Sequence, residues 1–168
     1  MRFARLKQEH KDLIGEFSSG NKDLDDFIRN DALKQQELHI STTFLLFEEP
    51  DVLVGYLTLL SDSIRIKENP TLSELFNTKG IQYHTLPALR IGRLASRKDF
   101  QKKGYGRAMI KFALSRLFEI SENAGCRFLT ADSKLEAVEF YRKVGFETVA
   151  TKEGETVKVY LDAYLGKN

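Results

Sequence analysis

Residues 101–108, Gln-Lys-Lys-Gly-Tyr-Gly-Arg-Ala, have the composition of a phosphate site. Gly104 and Gly106 lack the Cβ atoms that would hold a ligand away from the backbone. The apolar periodicity that follows predicts a helix opening here, and the first N–H groups of a helix have no partner within it. Those groups and the helix dipole favour an anion. The local charge agrees. From Arg90 to Arg116 there are nine basic residues, Arg90, Arg93, Arg97, Lys98, Lys102, Lys103, Arg107, Lys111 and Arg116, against one acid, Asp99. The window carries +8 in a chain of net charge +2, which leaves −6 for the remainder. A solvated basic helix face is the other reading of these charges. A P-loop is excluded, because the chain contains no Gly-x-x-x-x-Gly-Lys-Ser/Thr sequence.

Other reactive groups are sparse. Ser133-Lys-Leu-Glu136 has the form of a capping box, so a helix is expected to start there. Contact between Ser133 and a ligand is the alternative. His10, His39 and His84 are far apart and show no metal-ligand spacing, so no metal is expected. Cys126 is the only cysteine and cannot close an internal disulfide; its strand-like setting predicts a small core residue.

The positioning elements follow from periodicity and turn residues. A short strand is predicted over 2–6, a turn over 17–21, and a helix over 23–38 with Leu24, Phe27, Ile28 and Ala32 on one face. Residues 42–47 and 52–60 predict a hairpin. Residues 62–85 are less regular, with a short helical piece over 72–76. A strand over 86–96 leads into the glycine turn. The helix over 104–123 presents Met109, Phe112, Ala113, Leu117 and Ile120 as its buried face. A strand over 127–131, a helix from Ser133 to the left-handed Gly145, and a final hairpin of 146–150 with 156–161 around Glu153-Gly154 complete the order. The pattern is α/β (α+β), with a mixed sheet.

A length of 168 residues, 42% hydrophobic and 30% charged, predicts one ordinary globular domain over 1–168. No apolar run approaches the roughly 18 residues of a membrane span. The N-terminus is too polar for a secretory signal, and a cytoplasmic location is the expectation.

Four features resemble the GNAT superfamily of N-acetyltransferases: Gln101-x-x-Gly104-x-Gly106; the preceding strand Arg90-Ile-Gly-Arg-Leu-Ala-Ser96; Phe140-Tyr-Arg-Lys-Val-Gly-Phe146; and the order of elements. The resemblance covers nearly the whole chain. It implies a mixed, mainly antiparallel sheet of six to seven strands with about four helices, and acetyl-CoA as co-substrate. The pyrophosphate would lie on the amides of Lys102, Lys103, Gly104, Tyr105, Gly106 and Arg107, with Gln101 also among the cofactor-binding residues. The pantetheine arm would run beside Leu94, Ala95 and Ser96, and a backbone N–H there could stabilise an oxyanion. Tyr141 would be the general acid that protonates the leaving thiolate; from the residues alone it reads as a core aromatic beside Phe140.

One departure from the family bears on the acceptor. Many lysine-directed members carry a general-base carboxylate on the strand before the glycine turn, and residues 86–96 contain none. At pH 7 a lysine amine is free in roughly four parts in ten thousand, an α-amine in roughly a tenth. The acceptor is therefore expected to be an α-amine, with Asp62, Glu74, His84 or water left open as the base. The segments 17–32 and 86–95 also resemble a subgroup that includes tRNA-acetylating toxins of toxin–antitoxin modules. That subgroup implies tRNA and an antitoxin protein as candidate partners, with Arg90, Arg93, Lys98 and Arg116 as candidate tRNA contacts. Dimers are common in the family, so a homodimer is a candidate assembly. A non-catalytic acetyl-CoA-binding module is the competing class. The acceptor pocket is expected from the first helix and residues 62–85, with Phe76, Tyr83 and His84 either lining it or packing in the core.

Overall fold

The computed structural model describes residues 1–153 and 155–166, with side chains left aside for 150–153. The strands are β1 (Arg2–Arg5), β2 (Thr42–Glu48), β3 (Val52–Arg65), β4 (Thr85–Ser96), β5 (Phe128–Lys134), β6 (Glu147–Glu153) and β7 (Thr156–Asp162). They form one sheet in the order β1-β2-β3-β4-β5-β7-β6. The pairs β1/β2, β2/β3, β5/β7 and β6/β7 are antiparallel. The main helices are α1 (Lys11–Gly15), α2 (Lys22–Asp26), α3 (Ala32–Glu37), α4 (Pro70–Thr78), α5 (Tyr105–Ser121) and α6 (Val138–Lys143). The mixed sheet expected from the sequence is present. The expected Glu153-Gly154 turn includes Gly154, which lies outside the described residues.

Two compact units are distinguished. The first comprises Met1–Leu60 and Ile91–Phe112. Its core contains Leu6, Ile14, Phe17, Phe27, Ile28, Ala32, Leu45, Phe47, Leu53, Tyr56 and Ala95. The predicted first helix occurs as α2 and α3 joined by a π-helical turn, Phe27–Asp31. Phe27, Ile28 and Ala32 are buried as expected, and Leu24 packs partly against them. Asn21 caps α2 by accepting the N–H groups of Asp23 and Leu24. The buried Tyr56 hydroxyl donates to the Leu24 carbonyl at 2.7 Å. At Gly55 an added Cβ would lie 2.7 Å from the Ala95 carbonyl oxygen, so the close approach of β3 to β4 there requires glycine.

The second unit comprises Ser61–Arg90 and the chain from Ala113 onward. Its core is Ile64, Ile66, Leu72, Phe76, Leu86, Ala88, Phe128, Val149 and Tyr160. Two expectations fail here. Ser133 does not open a helix: β5 runs through Lys134, with Ser133 opposite Val157 and Lys134 opposite Thr156. The ladder to β7 outweighs the local cap, and the Ser133 hydroxyl donates to the Lys134 carbonyl instead. A short 3₁₀ turn, Leu135–Ala137, precedes α6. Ile120, expected in the buried face of α5, is 40% exposed in the last turn, whereas Met109, Ala113 and Leu117 are buried and Phe112 is half-buried. The predicted end of α6 holds: Gly145 has φ +95°, and the Phe146 N–H reaches the Tyr141 carbonyl at 3.0 Å.

Candidate functional site

In the first unit, β4 delivers Leu94, Ala95 and Ser96 to the glycine turn. Ala95 is buried, while Leu94 and Ser96 are half-buried. The turn winds through two left-handed residues, Lys102 (φ 60°) and Gly104 (φ 90°). The Ala108 N–H donates to the Gly104 carbonyl at 3.1 Å, which makes this the first bond of α5. The amides of Tyr105, Gly106 and Arg107 thus precede any acceptor within the helix. A Cβ at Gly104 would meet no protein atom within 4 Å, so the space in front of the turn is open. Such a winding of N–H groups at a helix start suits a diphosphate.

The basic residues divide into engaged and available ones. Arg97 makes a two-pronged pair with Asp99, at 2.7 and 2.8 Å. Arg97 and Lys103 lie over the Phe100 ring, at 4.6 and 4.8 Å from its centroid. Arg93 lies 5.0 Å from the Phe27 centroid. Arg116 pairs with Glu119. Lys102, Lys103, Arg107 and Lys111 are on or next to the turn and form no ion pair among the described residues. The Gln101 side-chain amide donates to the Ser19 carbonyl at 2.8 Å and to that of Ser96 at 3.4 Å. That side chain ties the protein to itself, and the Gln101 N–H reaches the Lys98 carbonyl at 3.5 Å.

In the second unit, Tyr141 is carried by α6 and is 8% exposed. Its ring meets Phe140 and Phe146 edge-on, with centroids 5.2 and 5.1 Å apart. Burial, with a smaller contribution from the negative charge of Asp132, pushes its hydroxyl well above the ordinary tyrosine value. The hydroxyl therefore keeps its proton at neutral pH.

A charged cluster spans β3, β4, β5 and β7 of this unit. Asp62 accepts from Arg90 at 2.8 Å and from the Thr130 hydroxyl at 2.6 Å, and pairs with Lys158 at 3.1 Å. Arg90 also pairs with Asp132 at 3.0 Å. Burial pushes the Asp62 carboxyl up, but Arg90, Thr130, the Ser63 backbone and Lys158 together hold it down at about 2. A group so weakly basic cannot take a proton from an ammonium at neutral pH, so Asp62 is a poor general base. A cavity of about 390 Å³ lies beside the cluster, lined by Asp62, Ser63, Arg65, Glu68, Arg90, Asp132, Lys158 and neighbours.

Of the expected pocket residues, Phe76 belongs to the core, edge-on to Phe128, and Tyr83 is 70% exposed. The His84 carbonyl accepts the Ile66 N–H. Among the described residues no cluster could hold a metal ion, and no helix is long and apolar enough to cross a membrane. Sequence reasoning missed Asp132, Thr130 and Lys158, which only strand register brings together. It also gave no role to Asp25, although the motif containing Asp25 was visible.

Comparison with known proteins adds three findings. An acetyltransferase (GNAT) domain model matches residues 15–159. A tRNA-acetylating toxin of Mycobacterium tuberculosis is 27% identical over 141 residues, 83% of this chain and 81% of that protein. Two solved structures share the fold: AtaT complexed with acetyl-methionyl-tRNAfMet (TM-score 0.84, 20% identity, 99% and 96% of the two chains), and an AtaT mutant toxin bound to the C-terminus of the antitoxin AtaR and acetyl-CoA (TM-score 0.76, 16% identity, 99% and 98%).

Proposed function

Because this chain belongs to the GNAT acetyltransferase family, we propose that it transfers the acetyl group of acetyl-CoA to the α-amine of an aminoacyl-tRNA, as one catalytic domain over 1–168. The observation that carries the acceptor is the match, over four-fifths of both chains, to a tRNA-acetylating toxin. The chemistry of the site supports it. β4 has no carboxylate, and Asp62 is committed to Arg90 and Lys158. An amine that is already partly neutral at pH 7 suits a site so poor in base.

In this reading the turn's amides from Lys102 to Arg107 bind the pyrophosphate, and Lys102, Lys103 and Arg107 supply positive charge. Leu94, Ala95 and Ser96 lie along the pantetheine arm. The free amine attacks the thioester carbonyl, and a backbone N–H stabilises the oxyanion. The carbon–sulfur bond breaks, the thiolate takes the proton of the Tyr141 hydroxyl, and the proton lost by the amine passes through water to restore that hydroxyl. The co-substrates are cytoplasmic, as the reaction would then be. An antitoxin is the partner that the resemblance to AtaT suggests.

The test is acetylation of aminoacyl-tRNAs, peptides and polyamines, followed by mass spectrometry. Tyr141→Phe should lower kcat by about 10² or more while leaving the acetyl-CoA Kd unchanged. Preference for a lysine ε-amine would reject the acceptor. Turnover retained in Tyr141→Phe would reject the general acid. Binding of acetyl-CoA with no acetylation of any amine would favour a non-catalytic module.

A further inference from the structure

We infer that Asp25, acting through the Ser18–Gly20 turn and Gln101, is a positioning residue for the coenzyme A cradle. All of these groups lie in the first unit. The inference rests on the reading of residues 102–107 as the donor site.

The buried Asp25 carboxylate, at the end of α2, is 8% exposed. One oxygen accepts the Ser19 N–H at 2.7 Å and the Ser19 hydroxyl at 2.6 Å; the other accepts the Ser18 hydroxyl at 3.1 Å. These bonds fix the turn in which Gly20 takes φ +82°. Three successive carbonyls of the turn are then used. Phe17 accepts from the Arg29 guanidinium, Ser18 from the Lys98 N–H at 2.9 Å, and Ser19 from the Gln101 side chain at 2.8 Å. Lys98 and Gln101 bracket the 3₁₀ turn, Lys98–Phe100, that leads into the left-handed Lys102.

Packing alone does not account for this arrangement. An aspartate buried at a helix end is expensive unless every bond it makes is used. Burial raises the Asp25 carboxyl, yet the Ser19 and Ser18 bonds and the Arg29 charge outweigh it, and the carboxyl titrates below the ordinary range. Asp25 therefore holds the turn as an anion. Through the turn and Gln101 it sets where the chain enters the cradle at Lys102. A diphosphate requires several N–H groups to converge, and small errors in their directions weaken every bond at once.

The experiment measures coenzyme A binding by calorimetry and steady-state kinetics on the full chain. Asp25→Ala and Gln101→Ala should each raise the coenzyme A Kd and the KM for acetyl-CoA by about 5- to 20-fold, with kcat changed by less than about 3-fold. Asp25→Asn keeps an acceptor for both Ser19 bonds and should recover most of the affinity. The double variant Asp25→Ala/Gln101→Ala should be no worse than the poorer single variant, because one relay is cut twice. Equal affinity in wild type and both alanine variants overturns the inference, as does full additivity. Should Asp25→Ala unfold, Gln101→Ala and Ser19→Ala, whose side chains are smaller losses, decide on the same criteria. Absence of coenzyme A binding in the wild type would instead reject the donor reading, and the relay with it.

Discussion

Asp62→Asn offers a quantitative check on the charged cluster. The change keeps shape and removes charge from a side chain 9% exposed and bonded to Arg90, Lys158 and Thr130. Asp62 titrates at about 2 in the folded chain, against an ordinary 3.8. Its folded value is depressed, so its stabilisation is complete above the unfolded value and is lost as pH falls through the folded one. The gap is worth on the order of 2 kcal/mol at neutral pH. For a chain of this length that corresponds to about 4–8 °C in Tm. Urea unfolding of wild type and variant from pH 7 to pH 2 reads it directly. The stability difference should be constant above about pH 5 and shrink between about pH 4 and 2, whatever the other carboxylates do. A difference that stays level across that range would show that Asp62 gains nothing from its partners, and the network would then be geometric only.

Two glycines give further tests. Gly55→Val should cost about 1–3 kcal/mol in chemical denaturation and weaken coenzyme A binding, because the new Cβ would press on the Ala95 carbonyl; Gly15→Ala, with nothing within 4 Å, should do neither. Gly104→Val should cost about 1–2 kcal/mol through its φ of +90° and weaken coenzyme A binding at least 10-fold in calorimetry. Gly80→Val shares the left-handed φ and open surroundings, so it should cost similar stability and leave affinity alone.

How much was legible in the sequence depended on how local each signal was. Gly104, Gly106 and the apolar spacing of α5 marked the turn that opens α5, because helix starts are local. Gly145 marked the end of α6 for the same reason. Ser133 misled because its strand partner Val157 competes with a cap, and the competition depends on β7. The second half of β3 was missed because Ser61, Asp62 and Ser63 break the apolar run, and the buried Asp62 is stabilised by partners on three other strands. Gln101 was assigned to the ligand because its motif adjoins the phosphate site; its actual acceptor is Ser19, 82 residues away in sequence. The bonds of Asp25 to Ser18 and Ser19 could have been suspected from an acid following Ser-Ser-Gly-Asn at a helix start, the pattern of a side chain closing a turn.

The cluster around the cavity also bears on how that wall could change over generations. Arg90 serves two carboxylates, and Asp62 serves two cations. Replacing any one wall residue strands the charge of another, so most single substitutions would be lost through lowered stability. Viable changes to this wall should therefore come in compensating pairs, such as Asp62 with Lys158 or Arg90 with Asp132. A mutagenesis library built one position at a time would under-sample these routes.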